Sequence, residues 1–163
     1  MQDAACWATR APLMKLSWND LVVDGVTPEE AQQWLSDWSF LGLGRVAPIC
    51  LSRFGDWFML RPDGAVDRID VLEFRIDRVA PSMEAFEAQM NDPGWQHESL
   101  LSWLVAELHE AGVVARERRC YGFAPPPAFS GRISRNDVLV LDMLVWQTIC
   151  AQTWQQIGPN PSR

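Results

Sequence analysis

The side chains best suited to chemistry in this sequence are one cysteine and two histidines. Cys120 follows Arg116, Arg118 and Arg119, whose positive field could lower the pKa of its thiol and favour the nucleophilic thiolate. A cysteine nucleophile also needs a base and donors for an oxyanion. No neighbouring residue in the sequence supplies either, although a distant base such as His97 stays open. We favour the alternative that Cys120 is a small packed side chain.

The two histidines do not form a recognisable metal or acid-base motif. His97 and His109 each precede a glutamate in a helical pattern, but neither belongs to an HExxH sequence. A helix would separate them by more than three turns, or roughly 18 Å. The cysteines have no CxxC spacing, and the phosphate-binding and esterase motifs GxxxxGKS, GxGxxG and GxSxG are absent from the sequence. We therefore predict a protein that is not an enzyme and that uses no cofactor or metal.

A run of carboxylates is the remaining candidate site. It lies in the stretch RPDGAVDRIDVLEFRID, where Arg68 and Arg75 are interspersed. The acidic residues, which we predict to bind a partner, are Asp63, Asp67, Asp70, Glu73 and Asp77. Such a run is often just the solvated face of a sheet, and that alternative stays open. An acidic surface would instead attract a basic partner through its field.

Composition indicates one globular domain with an acidic surface. The chain has 163 residues, of which 48% are hydrophobic and 21% charged, so it can bury one core but not two. Its formal net charge of -7 disfavours direct binding to nucleic acid, because nucleic acids attract basic proteins. A basic protein partner fits this charge better.

The sequence predicts a cytoplasmic protein. Residues 1–14 have neither the basic nor the apolar region of a secretory signal. The most apolar stretch, 137–154, contains Asp142, Gln147 and Gln152, so it falls short of the ~18 unbroken apolar residues of a membrane span. We expect no contact with a membrane, and we expect the four cysteines to be reduced and unpaired.

The elements that would position these side chains follow a simple order. Thr27 and Pro28 mark the start of a helix that ends near Gly42. Four short runs follow, separated by turn residues, and they predict an antiparallel meander: RVAPICLS, DWFMLR, AVDRID and EFRIDRV. The continuous apolar run Trp57–Leu60 predicts a central strand covered on both faces.

The second half of the chain is predicted to be largely helical. One helix begins near Met83, and a second, HESLLSWLVAELHEAG, ends at Gly112. Because of its prolines and glycines, we interpret CYGFAPPPAFSG as a connection rather than a strand. Asn136 is predicted to cap a last helix within 137–157, although its β-branched start leaves a strand open.

These elements predict a single-domain α+β fold, an antiparallel β-meander packed with about four helices. The domain would span 16–158, between a loose N-terminal segment 1–15 and a disordered tail 159–163. Met14 is an alternative to Met1 as the natural start.

Two groups of residues together form a recognisable pattern. A CYGF-x-P loop is followed by a glycine, an asparagine that opens the final segment, and a glutamine-rich end. The positions concerned are Cys120, Tyr121, Gly122, Phe123, Pro125, Gly131, Asn136, Asp142, Gln152, Gln155 and Gln156. Upstream, FGDWFMLRPDGAVDRID has the form of a GD-x-F-x-L hairpin. In this order the motifs resemble the C-terminal domain family of bacterial type VI secretion immunity proteins, and they cover most of residues 40–157.

The resemblance implies binding rather than catalysis. Proteins of that family, similar in purpose to the SUKH group, bind a toxin delivered by a neighbouring cell, often a nuclease, and block it by forming a stoichiometric complex. The larger members carry a separate GAD-like domain, whereas only about forty residues precede the hairpin here, so we expect a minimal member. The CYGFAPPP stretch would then be a packing clasp. Two alternatives stay open, namely a module that binds a small ligand or regulates, and an enzyme that uses Cys120.

Overall fold

The computed structural model describes residues 15–158, which form a single-domain α+β fold. The predicted fold class, an antiparallel meander packed with helices, is confirmed. The predictions of a loose segment 1–15, of a tail at 159–163 and of a start at Met14 concern residues that, apart from Lys15, lie outside the described range.

The meander has four strands in the order β1-β2-β3-β4, and each lies where the sequence predicts one. Their bounds are Ala47–Leu51, Trp57–Leu60, Val66–Asp70 and Arg75–Ala80. Short turns join them, and turns of this length can connect only antiparallel neighbours. The prediction for β2 is confirmed, because Trp57, Phe58 and Met59 are buried and β1 and β3 flank the strand.

From residue 15 onward, two helices precede the sheet, α1 at Trp18–Leu21 and α2 at Pro28–Ser36. The predicted cap of α2 is present, since Thr27 Oγ1 accepts a hydrogen bond from the Glu30 amide at 3.1 Å and the Glu30 carboxylate accepts one from the Thr27 amide at 3.0 Å. The helix ends at Ser36, and a 3-10 turn continues to Gly42. Between α1 and α2, the Val23 amide donates to Leu51 O at 2.8 Å, so this segment extends the edge of the sheet.

Three helices follow the sheet, where the sequence predicts two. They are α3 at Met83–Met90, α4 at Pro93–Ser99 and α5 at Ser102–Glu110. Asp92 caps α4 by accepting from the Trp95 amide at 2.9 Å. Leu101 has a φ of 52°, in the left-handed region, and this residue interrupts the predicted continuous helix. The predicted end at Gly112 agrees with its φ of 78°.

The interpretation of CYGFAPPPAFSG as a connection is wrong for its first part. Arg119–Phe123 is a strand, β5, which pairs antiparallel with β6 at Val138–Asp142. Gly122 fits in the strand because the Trp146 ring and the Leu141 side chain occupy the space where a Cβ would lie. The prolines begin only beyond β5, and Pro127–Ser130 form the short helix α6.

The last helix, α7, is Met143–Ile157, so it begins later than predicted. Asn136 does not cap it but lies in a 3-10 turn, Arg135–Asp137. The cap is Asp142, whose Oδ1 accepts from the Leu144 amide at 2.9 Å. The β-branched start of the predicted helix is β6, the alternative that the sequence leaves open.

The core lies between the meander, the helices and the β5–β6 hairpin. Trp38, Phe54, Phe86, Tyr121 and Trp146 are among its buried aromatic residues. Helix α7 packs against both strands of the hairpin and against α2. Within residues 15–158, no helix has the length and apolar character needed to span a bilayer.

Candidate binding surfaces

The predicted acidic site lies on β3, β4 and the turns that flank β3, and there it is matched by arginines. Cross-strand register places Asp67 opposite Arg78, Arg68 opposite Asp77, and Asp70 opposite Arg75. Opposite charges in such positions stabilise a sheet. Further ion pairs join Arg78 to Asp63 at 3.3 Å and Arg75 to Glu73 at 3.3 Å. We call this set, with Arg61, the charged hairpin face. It carries five carboxylates and four guanidinium groups, and its net charge is therefore small.

One carboxylate of the charged hairpin face turns inward. Asp70 is buried, accepts from the amides of Leu72 and Glu73 at 3.0 Å each, and lies 3.7 Å from the Arg68 guanidinium. Behind it lies Asp56, also buried, whose Oδ1 accepts from the Val71 amide at 2.9 Å. Burial, with the negative charge of Asp70, raises the pKa of the Asp56 carboxyl well above its ordinary range. Both carboxylates accept hydrogen bonds from backbone amides at the end of β3, and both are too buried to contact a partner.

The unbalanced negative charge lies on α3, α4, α5 and their connections. No lysine or arginine occurs between Val79 and Ala115. Six carboxylates in this segment are exposed. They are spread over three helices, of which α4 contacts both α3 and α5, and we call them together the helical acidic face: Glu84, Glu87, Asp92, Glu98, Glu107 and Glu110. This surface was not predicted, because its carboxylates are spread more thinly along the sequence than those of the hairpin. The absence of arginine and lysine from the segment was the useful signal.

The residues of the CYGF motif are part of the core. Cys120, Tyr121, Gly122 and Phe123 are all buried in β5. The Tyr121 oxygen accepts from the Ala115 amide at 3.0 Å and lies 3.1 Å from Nε2 of His109. The other motif residues, Pro125, Gly131 and Asn136, are exposed at the turns that follow β5.

The two motifs on which the resemblance rests contact each other. Phe54, from the FGDWF turn, packs against Tyr121 with ring centroids 5.4 Å apart and against Phe123 at 5.8 Å. The Tyr121 amide donates to Arg53 O at 2.8 Å. The buried Arg53 guanidinium donates in turn to Asn19 O, to Glu117 O just before β5 and to Arg119 O at the start of β5. Residues far apart in sequence thus form one continuous clasp.

Cys120 lies in an environment that disfavours a thiolate. It is fully buried, and burial, with a smaller contribution from the Asp142 charge, raises the pKa of its thiol far above the ordinary value. Arg119 and Arg53 oppose this shift only weakly. His97 packs against Trp103, with ring centroids 6.4 Å apart. Among residues 15–158, no group of three or more histidine, cysteine or acidic side chains is arranged to hold a metal.

An open groove that the sequence did not reveal lies between α2, the preceding loop and the outer edge of β1. Its volume is about 900 Å³. Val23, Ala31, Ile49 and other apolar residues line it, and Trp18 at its rim is 40% exposed. Among the described lining residues Asp24 carries the only charge. A concave, mostly apolar surface of this size can accommodate a small ligand.

No protein-family model matches this chain, and no curated protein matches it in sequence. The resemblance to immunity proteins therefore depends on the motif residues alone. What those residues do in this protein has to be argued from its own surfaces.

Proposed function

We propose that this chain is an immunity protein that binds a cognate toxin, a type VI effector with a basic active-site cleft, in the bacterial cytoplasm and neutralises it. The observation that carries the proposal is the helical acidic face, with six exposed carboxylates and no lysine or arginine in the same segment. The resemblance of the CYGF and FGDWF motifs to those of immunity proteins supports the same function.

The physical argument is electrostatic. A toxin that acts on nucleic acid needs a basic cleft to hold phosphates, and an acidic protein can occupy that cleft in place of the polyanion. The charged hairpin face is poorly suited to this role, because its arginines cancel most of its field. The negative field of the helical acidic face is not cancelled in this way, because its segment contains no lysine or arginine. Like-charged side chains on neighbouring helices can attract a partner from about 10 Å at 0.1 M salt.

The first experiment identifies the partner. The product of the gene next to this one is expressed with a tag and tested for a one-to-one complex, and for toxicity that co-expression of this chain suppresses. Suppression together with a stable complex is the expected result. A toxic neighbour that this chain neither binds nor neutralises would contradict the proposal.

The second experiment compares the two charged surfaces by association kinetics between low and physiological salt. A helical variant carries Glu84→Gln, Glu87→Gln and Glu107→Gln, and a matched hairpin variant carries Asp63→Asn, Asp67→Asn and Glu73→Gln, which leaves the buried Asp70 unchanged. We expect the helical variant to associate several-fold more slowly and with a weaker salt dependence, while its dissociation changes less. An unchanged association rate for the helical variant would reject this face. Slower association of the hairpin variant alone would assign the contact to the hairpin residues.

A second candidate function is supported by the groove between α2 and β1. A module that binds an apolar small ligand would use this site, with Trp18 at the rim and Asp24 favouring a cationic group. The test measures saturable fluorescence of Nile red, with native mass spectrometry of the freshly purified protein to find a retained ligand. Val46→Trp, which fills the groove, should abolish dye binding, and Ile76→Trp on β4 should not. Absence of both saturable binding and a retained ligand would remove this candidate.

A further inference from the structure

Helix α7 presents an exposed surface without charge. No Asp, Glu, Lys or Arg occurs in Met143–Ile157. Val145 is 50% exposed and Ile149 41% exposed, one turn apart on the same side of the helix. Leu139 of β6, the strand that leads into α7 and packs against it, is 39% exposed. We call Leu139, Val145 and Ile149 the neutral face.

The outer edge of β6 lies beside this surface, and no strand of residues 15–158 pairs with it. Tyr121 and Val140 are register partners in the hairpin, and the Tyr121 amide donates to Arg53 O, away from β6. Tyr121 and Val140 are therefore a pair without hydrogen bonds between them. In such a pair the backbone groups of each residue point outward, away from the partner strand. The Val140 amide therefore points away from β5. In the described part of the chain it has no hydrogen-bond partner, while Val140 O accepts from the Arg119 guanidinium at 3.1 Å.

Charge determines which partner fits the neutral face. The chain has a net charge of -7, so two copies repel each other wherever carboxylates would meet. At the border of the neutral face the exposed carboxylate of Asp142 and the guanidinium of Arg119 carry opposite charges, so two copies can approach there without a net repulsion. The exposed amides of Gln152, Gln155 and Gln156 extend it, and each amide is both a donor and an acceptor, so these side chains can bond to their own equivalents. A toxin with a basic cleft would gain nothing from this uncharged surface.

We propose that the neutral face and the outer edge of β6 form an interface between two copies of this chain. The contact is isologous, with the same residues on both sides of a two-fold axis. Two β6 strands pair antiparallel near Val140, where the exposed Arg119 side chain gives up its hydrogen bond to Val140 O. The two hairpins then form one sheet, which protects an edge strand that would otherwise be exposed. Helix α7 of each copy covers its equivalent. The helical acidic face lies on other elements and stays available to a toxin.

The test measures molar mass by light scattering and sedimentation, between about 5 µM and about 500 µM protein, because an interface of two short elements is expected to be weak. The mass should rise from 18.5 kDa toward twice that value. Ile149→Glu and Val145→Glu should keep the protein monomeric, since each places a carboxylate opposite its own copy. Ile76→Glu, at a residue of similar exposure on β4, is the matched control and should leave the dimer intact.

A second measurement uses the parent protein, so its result does not depend on whether the glutamate variants fold. Hydrogen exchange of the β6 amides, Val140 in particular, should slow as the protein concentration rises, while exchange on α5 should not change. A monomer at every concentration would overturn the proposal. So would a dimer that survives both glutamate substitutions, or one whose β6 amides exchange at the same rate as in the monomer. None of these outcomes bears on toxin binding, so the two proposals fail independently.

Discussion

Gln147 connects three separate parts of the core through one buried amide. Its Oε1 accepts from the indole nitrogens of Trp38 at 2.6 Å and Trp57 at 3.0 Å, and its Nε2 donates to Gly55 O at 2.8 Å. The residue is fully buried, so water cannot replace these partners. A buried donor or acceptor that loses its partner costs about 1–3 kcal/mol.

We predict that Gln147→Leu lowers the free energy of unfolding by about 3 kcal/mol, because two indole donors and one carbonyl lose a partner at once. Urea unfolding, followed by tryptophan fluorescence, measures the change. Gln155→Leu, at an exposed position on the same helix, is the control and should unfold nearly as the parent does. Equal stability of Gln147→Leu and the parent would show that the amide network contributes nothing.

Asp56 predicts a stability that depends on pH. Its raised pKa means that the folded protein keeps the carboxyl protonated over a range in which the unfolded chain has lost the proton. The folded state binds more protons there, so the free energy of unfolding falls as pH rises above the ordinary aspartate range, by at most about 1.4 kcal/mol per pH unit. We expect the parent to melt at a lower temperature at pH 8 than at pH 5.5.

The variant Asp56→Asn separates this carboxyl from the rest of the molecule. It carries no proton to lose, so its melting temperature should vary less with pH than that of the parent over the same interval. Asp63→Asn, at an exposed position, should keep the pH dependence of the parent. An identical slope for the parent and Asp56→Asn would show that Asp56 is already ionised in the folded protein.

Strand β5 is stabilised by its aromatic contacts with Phe54 in the FGDWF turn. Phe123 is buried against Phe54, whereas Phe129, six residues later in α6, is 56% exposed. The same substitution at the two positions therefore compares a packed phenylalanine with a solvated one. It also tests whether the CYGFAPPP stretch supports the fold or binds a partner.

We predict that Phe123→Ala lowers the free energy of unfolding by about 3 kcal/mol, as buried aromatic truncations do, and that Phe129→Ala changes it little. Chemical unfolding monitored by circular dichroism gives both values. A Phe123→Ala variant that melts like the parent but no longer binds the toxin would make β5 a recognition site instead of a clasp.

The elements also show where sequence patterns suffice. The four meander strands were predictable because turn residues separate short runs of β-forming residues, a local signal. Strand β5 was not, because its Gly122 is unfavourable in a strand until Trp146 and Leu141 pack over it. Leu101 in a left-handed conformation likewise ends a pattern that is helical throughout.

The reactivity of the buried thiols depends on unfolding of the whole protein. Cys120 and Cys150 are buried, and burial raises the pKa of both thiols, so the reactive thiolate forms only when the protein opens. Cys50, in the wall of the groove, is partly exposed, but burial of its sulfur raises the pKa of its thiol to about 12. Cys6 lies outside the described residues. The three described cysteines are unpaired, in agreement with the prediction.

We predict that labelling of Cys120 and Cys150 by a thiol reagent follows the unfolding of the protein, and that all four thiols react after denaturation under non-reducing conditions. Mass spectrometry of labelled peptides measures the labelling rates, with the denatured protein as the reference for an unprotected thiol. A mass lower by two hydrogens before reduction would reveal a disulfide. Fast labelling of Cys120 in the native protein would support the alternative that Cys120 is a reactive nucleophile.

The fold class, the order of the meander strands, the capping of α2 and the overall acidity could all be predicted from the amino-acid sequence. These properties depend on residues close in the chain or on composition, so they can be inferred without knowing which segments meet. The candidate sites depended on tertiary structure. Strand register paired the hairpin carboxylates with arginines and left the charge on α3, α4 and α5, and packing buried Cys120. Charge balance, burial and pKa are set by neighbours in space, and neighbours distant in the chain leave no local pattern.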